Sequence, residues 1–312
     1  MKKSPQPKIV SLQSYLEAQR ARIDEELDRL APPETEAPRT LHRAMRYSLF
    51  AGGKRIRSVF CLEAARLINF RAEPEPSSET ERDILSTSCT LELIHTYSLI
   101  HDDLPALDND DYRRGKPTCH KAFGEAIAVL AGDALLTLAF RVLANLPRTP
   151  AAVKTDLVAE LARAAGTVRG MIGGQVADLE AVSGHVTPEI LEYIHCCKTG
   201  ALFCASVRLG AIIAQATPEQ LAAITCFGAN AGLAFQIVDD ILDVESSTER
   251  LGKTAGKDAI QKKVTYPALH GLERSKEMAA HHIYLARTAL KPFGGRAARL
   301  QELAEFLVAR KA

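Results

Sequence analysis

The 312-residue sequence lacks an excess of either charge, a regular strand pattern and any CxxC cysteine pair. Its 39 basic and 38 acidic residues give a formal net charge of +1, so bulk electrostatics offers no reason to expect a nucleic acid or an anionic membrane surface as partner. The seven cysteines are odd in number and mostly lie in apolar helical stretches. We therefore expect them to be small buried hydrophobic residues.

We also expect no membrane-spanning run and no secretory signal. The most apolar stretches, residues 126–140 and 201–214, are interrupted by Asp133 and Arg208, and we expect neither to reach the roughly 18 residues that span a bilayer. The first residues, MKKSPQP, are not followed by the apolar core of a secretory signal. We therefore predict that the protein is cytoplasmic and does not insert stably into a membrane.

Helical periodicity, by contrast, recurs almost throughout the chain, so we predict an all-α fold. With 46% hydrophobic residues the chain can bury one large core, and we expect a single domain over residues 1–312 with a flexible segment at 1–10. Thr187-Pro188 and Thr217-Pro218 each place an N-cap threonine before a first-turn proline. The predicted helices cover residues 12–30, 40–50, 55–68, 78–103, 124–144, 151–181, 188–215 and 218–244, with several more after residue 266.

Two aspartate-rich segments lie inside this apolar helical sequence. The first contains Asp102, Asp103 and Asp108, and the second contains Asp239, Asp240 and Asp243. Buried carboxylates are unfavourable unless they are paired or bound to metal, and neither segment carries an adjacent lysine or arginine. Mg²⁺ prefers oxygen ligands and is commonly bridged to phosphates, so the pair of segments predicts metal-assisted chemistry on a diphosphate. The alternative is that each segment is a solvated acidic helix end.

The spacing within the two segments differs. Asp239 and Asp243 are four positions apart, which places them on one helical face. Asp102 and Asp108 are six positions apart, roughly 240° around a regular helix, so a straight helix would separate them. Pro105 disfavours helical geometry, and we predict a break after Asp103 that brings Asp108 back towards Asp102.

Basic and polar residues occur where an anion would need them. GGKRIR opens a helix with Lys54 and Arg57 on one face, although a basic helix start is more often plain surface. His95 lies about two turns before Asp102 and is either a ligand or a core histidine. Arg113 and Arg114 can bind diphosphate oxygens or can neutralise Asp110 and Asp111. A further set accompanies the second segment: Lys198, Thr199, Gln236, Lys253 and Lys263.

Seven ordered motifs make the chain similar to the trans-prenyl diphosphate synthases, and among them to the bacterial farnesyl diphosphate synthases. They are GGKRIR, SLIHDDLPALDNDDYRRGKPTCH, GDALL, GGQVADL, KTGAL, FQIVDDILD and GKTAGKD, between Gly52 and Asp258. The resemblance covers most of the chain from about Thr40 onward. It implies a bundle of about ten or more helices around a deep cavity, and a homodimer.

The resemblance also implies a role for each residue group. Metal ligation falls to Asp102, Asp108 and Asp239, supported by Asp103, Asp240 and Asp243, with Lys198 and Lys253 as further catalytic residues. The allylic diphosphate would be held by Arg113, Lys198, Thr199, Gln236 and Lys253, isopentenyl diphosphate by Lys54, Arg57, His95 and Arg114, and the metal and diphosphate cluster would include Lys263. The implied cofactor is Mg²⁺, about three ions with diphosphate bound, or alternatively Mn²⁺.

The implied reaction joins isopentenyl diphosphate head to tail to dimethylallyl or geranyl diphosphate and yields farnesyl diphosphate. Tyr97 and Ser98, just before Asp102, are implied to limit chain length, with Tyr97 as the floor of the tail cavity or else as core packing. The nearest alternatives are geranylgeranyl or geranyl diphosphate synthesis; a terpene cyclase or a non-catalytic subunit would not need both aspartate segments. We also expect crowded aspartates to bind protons more readily, and activity to fall in mild acid.

Overall fold

The computed structural model describes residues 11–69, 78–181, 186–249 and 264–309, with the side chains of 246–249 excepted. The expectation of a flexible segment at 1–10 lies outside these residues. So do the predicted substrate contacts of Lys253 and Lys263, which therefore stay predictions.

The described chain is a bundle of α-helices, which confirms the predicted fold class. The first half contains α1 Leu12–Leu30, α2 Arg39–Leu49, α3 Ile56–Ile68, α4 Ser78–Asp102, β1 Tyr112–Arg113, β2 Lys116–Pro117, α5 Cys119–Phe123, α6 Glu125–Ala144 and α7 Ala151–Ala165. The second half contains α8 Met171–Ala181, α9 Pro188–Ile194, a π-helix His195–Gly200, α10 Ala201–Ile213, α11 Pro218–Glu249, α12 Tyr266–His270, α13 Leu272–Ala289, a 3₁₀ helix Lys291–Ala297 and α14 Ala298–Val308.

The two helix starts predicted from Thr-Pro pairs, those of α9 and α11, have the expected N-cap hydrogen bonds. The Thr187 hydroxyl accepts a hydrogen bond from the Ile190 amide at 3.4 Å, at the start of α9. At the start of α11, Thr217 Oγ1 accepts from the Gln220 amide and Gln220 Oε1 accepts from the Thr217 amide. This reciprocal pair is a capping box, and it satisfies two backbone N–H groups that have no helical partner.

The structure differs from the predicted elements at three places. The predicted helix at 151–181 is two helices, because the chain leaves helical geometry at Gly166 and Arg169 has a positive φ of 52°. The predicted helix at 188–215 contains the π-helix, and a regular 3.6-residue pattern does not reveal such a turn. The hairpin of β1 and β2 was not predicted; its turn residues Arg114 and Gly115 have positive φ values of 53° and 77°.

The core surrounds α4, which packs against α1, α2, α3, α6 and α10. Its side chains are buried on several faces, as expected for a central helix of a bundle. Phe60 on α3 and Phe203 on α10 meet with ring centroids 4.9 Å apart. Gly210 permits this approach, since a Cβ there would lie 2.1 Å from the Cys61 carbonyl oxygen. The central helix is thereby held in a rigid frame, and its last turn carries the first aspartate segment.

The expected shortness of the apolar helices is wrong. By length and composition alone, three helical stretches among the described residues could cross a membrane: Glu125–Ala144, Pro188–Ile213 and Pro218–Glu245. Asp133 and Arg208 do not shorten the helices that contain them, because a single charged residue does not interrupt backbone hydrogen bonding. In an 18-residue apolar window of each stretch, 44%, 72% and 50% of the residues are buried inside the bundle.

The expectation for the cysteines is correct for four of them and wrong for two. Cys61, Cys89, Cys119 and Cys197 are buried, and burial raises the pKa of each thiol. Cys204 is half-buried, whereas Cys196 and Cys226 are exposed.

Candidate active site

The first aspartate segment follows the predicted break. Helix α4 ends at Asp102, and the Asp108 N–H donates a 2.8 Å hydrogen bond to the Asp102 carbonyl. Asn109, with a positive φ of 47°, closes the loop by donating to the Leu104 carbonyl. Pro105 therefore ends the helix as predicted, and the loop returns Asp108 to the end of α4.

Asp103 occupies a different environment from its neighbours. It is 3% exposed, and Arg113 Nε lies 2.8 and 2.9 Å from its two carboxylate oxygens. Arg113 also lies 3.9 Å from Asp110. The alternative that Arg113 neutralises Asp110 is thus observed, but its main carboxylate partner is Asp103, which was not predicted. Its contact with an allylic diphosphate remains a prediction.

The second aspartate segment lies within the continuous helix α11. Asp239 and Asp243 are one turn apart, and the Asp243 side chain is exposed. Asp240 is 6% exposed and is held by three groups. His195 Nε2 lies 3.0 Å from Asp240 Oδ2, the Tyr266 N–H donates to the same oxygen at 2.9 Å, and Gln236 Nε2 donates to Oδ1 at 3.3 Å. Gln236, predicted to bind substrate, thus also orients Asp240.

Lys198 and Thr199, on the π-helix, lie between the aspartate segments. They line a cavity of about 170 Å³ together with Asp240 and Asp243, and they also line the larger cavity, described below, that reaches Asp102. Lys198 Nζ is 2.6 Å from Asp178 Oδ2 on α8. Gly174 makes this approach possible, because a Cβ there would lie 2.2 Å from the Lys198 amide nitrogen.

A separate anion pocket contains the four residues predicted to hold isopentenyl diphosphate. Its volume is about 160 Å³, and its lining includes Lys54, Arg57, His95 and Arg114. Gly53, with a φ of 133°, leaves room for Arg114, whose guanidinium would be 2.8 Å from a Cβ at that position. The structure therefore brings this group together.

Buried charge shapes the electrostatics of the anion pocket. Burial lowers the pKa of the Arg57 guanidinium, an effect that the carboxylates of Glu92 and Asp239 oppose. Burial, reinforced by Arg57 and Arg114, holds the pKa of His95 well below 6.5, so its imidazole is neutral near pH 7. Because Asp239 acts on Arg57, the second aspartate segment and the anion pocket are close enough to interact.

Arg55 has a structural part in the same motif. It is 4% exposed, and its guanidinium contacts Asp24 at 2.8 Å and Glu92 at 3.2 Å. It also donates to the Leu49 carbonyl at 2.7 Å. All three basic residues of GGKRIR line the anion pocket, but the Arg55 guanidinium is held by ion pairs within the fold.

The third cavity has a volume of about 400 Å³ and runs beside α4 and α8. Tyr97 and Ser98 line it on one side, and Ile172, Val176 and Leu179 line it on another. Tyr97 is 5% exposed, its ring packs edge-on against His101, and its hydroxyl is buried without a hydrogen-bond partner. We call this space the tail cavity. Tyr97 and Ser98 lie where a chain-length limit was predicted, and that role remains a prediction.

Shared walls connect the three cavities. Lys198 and Thr199 line both the 170 Å³ cavity and the tail cavity. Arg57 and His95 line both the tail cavity and the anion pocket. Cationic side chains thus border both aspartate segments, and a largely apolar space extends away from them. The arrangement can hold two anionic head groups with one hydrophobic tail.

Burial raises the pKa of Asp102 to about 6; the nearby Lys198 opposes this shift and Asp108 adds to it. The direction agrees with the predicted crowding of aspartates. Among the described residues no three His, Cys, Asp or Glu side chains form a ready-made metal cage. The predicted ligands Asp102, Asp108 and Asp239 supply only hard carboxylate oxygens. Such a sparse oxygen set fits Mg²⁺, which keeps water ligands and is completed by substrate phosphates.

Six further polar residues had no role assigned from the sequence. Gln175 lines the tail cavity with its Oε1 buried and unpartnered, and Asp178 pairs with Lys198; both residues belong to the GGQVADL motif. Sequence reasoning missed Glu92 and His195, because a lone polar residue on a buried helix gives no periodic signal. His101 and His120 contact Val129 and Thr118 respectively, which ties them to the surrounding structure.

Comparison with known proteins extends these observations. The family model described as "Polyprenyl synthetase" matches residues 38–291. A farnesyl diphosphate synthase of Geobacillus stearothermophilus is 44% identical over 303 residues, covering 96% of this chain and 98% of that protein. A chloroplastic geranylgeranyl pyrophosphate synthase of Capsicum annuum is 48% identical over 277 residues, covering 88% of this chain and 72% of that protein.

A solved structure with a similar fold points to the same family. The crystal structure of an FPP/GFPP synthase from Zymomonas mobilis matches with a TM-score of 0.83 at 35% identity, over 96% of this chain and 99% of that one.

Proposed function

Because the chain belongs to the polyprenyl synthetase family and is a prenyltransferase, we propose that it joins isopentenyl diphosphate head to tail to an allylic diphosphate. The proposed allylic substrates are dimethylallyl and geranyl diphosphate, and the proposed product is farnesyl diphosphate. The observation that carries this proposal is the set of shared walls between the aspartate segments, the anion pocket and the tail cavity.

Magnesium is the proposed cofactor, with Mn²⁺ as a substitute. Asp102, Asp108 and Asp239 would hold the ions, and the remaining aspartates of both segments would support them. When bound, the ions supply positive charge that stabilises the departing diphosphate.

The protein's own residues bind and orient the two substrates. Lys198 and Thr199 would hold the allylic diphosphate between the aspartate segments, while Lys54, Arg57 and Arg114 would hold isopentenyl diphosphate. Neutral His95 can donate a hydrogen bond without adding charge. The tail cavity would receive the hydrocarbon and exclude water from the reacting carbons.

The proposed reaction needs no dedicated protein base. The allylic C–O bond breaks and diphosphate leaves with the bonding electrons. The double bond of isopentenyl diphosphate attacks the allylic carbon, and the new cation loses a proton to the departed diphosphate. Fixed cations such as Lys198 favour this course, because they stabilise the negative charge that develops on the leaving group.

Product length has a second candidate. The 48% identical relative is a geranylgeranyl pyrophosphate synthase, so a C20 product on the same scaffold is the specific alternative to C15. Tyr97 supports the C15 product, since this bulky residue lines the tail cavity about 7.5 Å along the helix axis from Asp102.

A direct assay tests the proposal. The protein is incubated with Mg²⁺, dimethylallyl diphosphate and isopentenyl diphosphate, and the dephosphorylated products are separated by chromatography. We expect a C15 alcohol. A C20 alcohol would favour the second candidate, whereas recovery of only the C5 compounds at all substrate ratios would refute the condensation itself.

We further propose that the protein is a cytoplasmic homodimer. Exposed apolar residues on α6 and α8 support an interface there: Val129, Leu130, Ile172, Val176 and Leu179. The last three also line the tail cavity, so a second copy on this face would close it. Light scattering should give about twice the 33.9 kDa chain mass; a mass of one chain at micromolar concentration would contradict the dimer.

A further inference from the structure

We propose that His195 is a positioning residue for the allylic diphosphate: it anchors the π-helix that carries Lys198 and Thr199 to Asp240 of the second aspartate segment. This inference rests on the proposed function and names a part of the site that the aspartate motifs do not reveal. Asp240, in this view, serves as an anchor for the backbone around the site.

The anchor joins three elements of the fold. His195 begins the π-helix, Asp240 lies on α11, and Tyr266 begins α12. One carboxylate oxygen, Asp240 Oδ2, receives both His195 Nε2 at 3.0 Å and the Tyr266 N–H at 2.9 Å. The His195 and Tyr266 rings also stack, with centroids 5.3 Å apart and an interplanar angle of 15°.

Burial makes these contacts specific. His195, Asp240 and Tyr266 are 9%, 6% and 2% exposed, so water cannot readily replace a lost partner. An ionised carboxylate only accepts hydrogen bonds, and Nε2 of His195 must therefore be the ring nitrogen that carries the hydrogen. The arrangement resembles the way a buried outer partner fixes the orientation of a binding side chain.

The anchor is close to the residues it would position. Lys198 and Thr199 follow His195 within the same π-helical turn, and all three line the cavity beside Asp240. A π-turn is a rare local geometry that needs support from its surroundings. Asp178 supports it from α8 through Lys198, and His195 supports it from α11. Loss of the His195 contact would therefore remove the support of the π-helix from α11 but leave its support from α8.

Two substitutions distinguish the effect of the His195–Asp240 hydrogen bond from that of the His195–Tyr266 stacking. His195→Phe keeps an aromatic ring against Tyr266 but removes the donor, whereas His195→Gln keeps an N–H donor near the Nε2 position but removes the ring. For His195→Phe we expect the KM for dimethylallyl diphosphate to rise about tenfold or more, as is typical when an outer partner is lost. The KM for isopentenyl diphosphate, which would bind in the anion pocket, should stay within about twofold. His195→Gln should recover most of the allylic KM.

A readout that needs neither substrate nor metal accompanies the kinetics. Amide hydrogen exchange should accelerate in residues 195–200 of the Phe variant and remain near the wild-type rate in the Gln variant. Residues 56–68 of α3, beside the anion pocket, should be unchanged in both. Should the Phe variant fail to fold, the Gln variant decides: wild-type exchange in residues 195–200 supports the anchor, and faster exchange overturns it.

His282 provides a matched control. Its Nδ1 lies 2.9 Å from Asn230 Oδ1 on the same helix α11, but it does not line any of the three cavities described above. His282→Phe should leave both KM values unchanged. The proposal is overturned if His282→Phe raises the allylic KM as much as His195→Phe does, or if His195→Phe raises both KM values equally.

Failure of the anchor and failure of the proposed function give different results. If the wild-type protein makes no prenyl product, the proposed function fails, and the exchange comparison still tests the anchor. If the wild type is active and His195→Phe changes neither the allylic KM nor the exchange, only the anchor fails.

Discussion

The two aspartate segments carry the same chemistry on different backbones. The first begins at Asp102, the last residue of α4, and continues into a loop that contains Pro105 and returns Asp108 to Asp102. The second lies within unbroken helix α11. In both, however, the second aspartate is buried and clamped: Asp103 by Arg113, and Asp240 by His195 and Tyr266.

This comparison divides each segment into an anchor and a working part. Asp103 and Asp240 are 3% and 6% exposed, and their oxygens contact partners outside their own segments. Asp102, Asp108, Asp239 and Asp243 are more accessible. A motif of similar aspartates therefore contains residues that hold the site in place and others that can face a metal ion.

The largest expected effect comes from the working positions. Asp102→Ala and Asp239→Ala should each lower kcat by about 10² to 10³, because each would remove charge stabilisation from the leaving group. Steady-state assays at saturating Mg²⁺ measure this. Circular dichroism should show a wild-type fold in both variants. A near-normal kcat in either variant would contradict the division of each segment into anchor and metal-facing aspartates.

The anchor positions should instead affect stability. Asp103→Ala leaves Arg113 without its bidentate partner and should lower the free energy of unfolding by about 2 kcal/mol. Thermal unfolding without substrate measures the loss. Asp108→Ala is the matched control, in the same loop, and should shift the midpoint much less. Equal shifts would show that the two kinds of position do not differ.

Acid should weaken the first segment through Asp102, whose pKa is raised to about 6. A protonated carboxyl does not bind Mg²⁺, so the apparent Mg²⁺ affinity should fall about tenfold between pH 7 and pH 5. Titration calorimetry with a saturating diphosphate measures the affinity. An affinity independent of pH over this range would contradict the shift.

Without metal, the same group should change stability in the opposite direction. The folded state binds the Asp102 proton more tightly than the unfolded state does, so this group's contribution to stability falls as pH rises through about 6. Thermal unfolding of the metal-free protein can be compared with Asp102→Asn, which should lack this component.

The smallest expected change in free energy comes from substitutions in the tail cavity. The residues concerned lie on α4, the helix that leads into the first aspartate segment. Tyr97→Ala enlarges the tail cavity and should shift the product from C15 towards C20, with little change in the rate of the first condensation. Chromatography of the products measures the shift. Ser98→Ala is the milder neighbour and should leave C15 dominant. An unchanged C15 product from Tyr97→Ala would show that the floor lies elsewhere.

Much of the helix order and of the site was predictable because it is encoded locally. The bounds of α1 matched the apolar periodicity, the threonine caps of α9 and α11 formed, and Pro105 produced the break before Asp108. The π-helix and the β-hairpin were not predictable from periodicity. Each depends on a short backbone irregularity that packing against neighbouring elements stabilises.

The amino-acid sequence by itself determined the all-α fold and which residue types could bind metal and diphosphate, because helical periodicity, capping and carboxylate chemistry act over a few neighbouring positions. Only the tertiary structure decided which aspartates became anchors, that Arg55 is held in buried ion pairs, and that His195 meets Asp240. These outcomes depend on contacts between residues far apart in the chain, and on the burial that makes each contact selective.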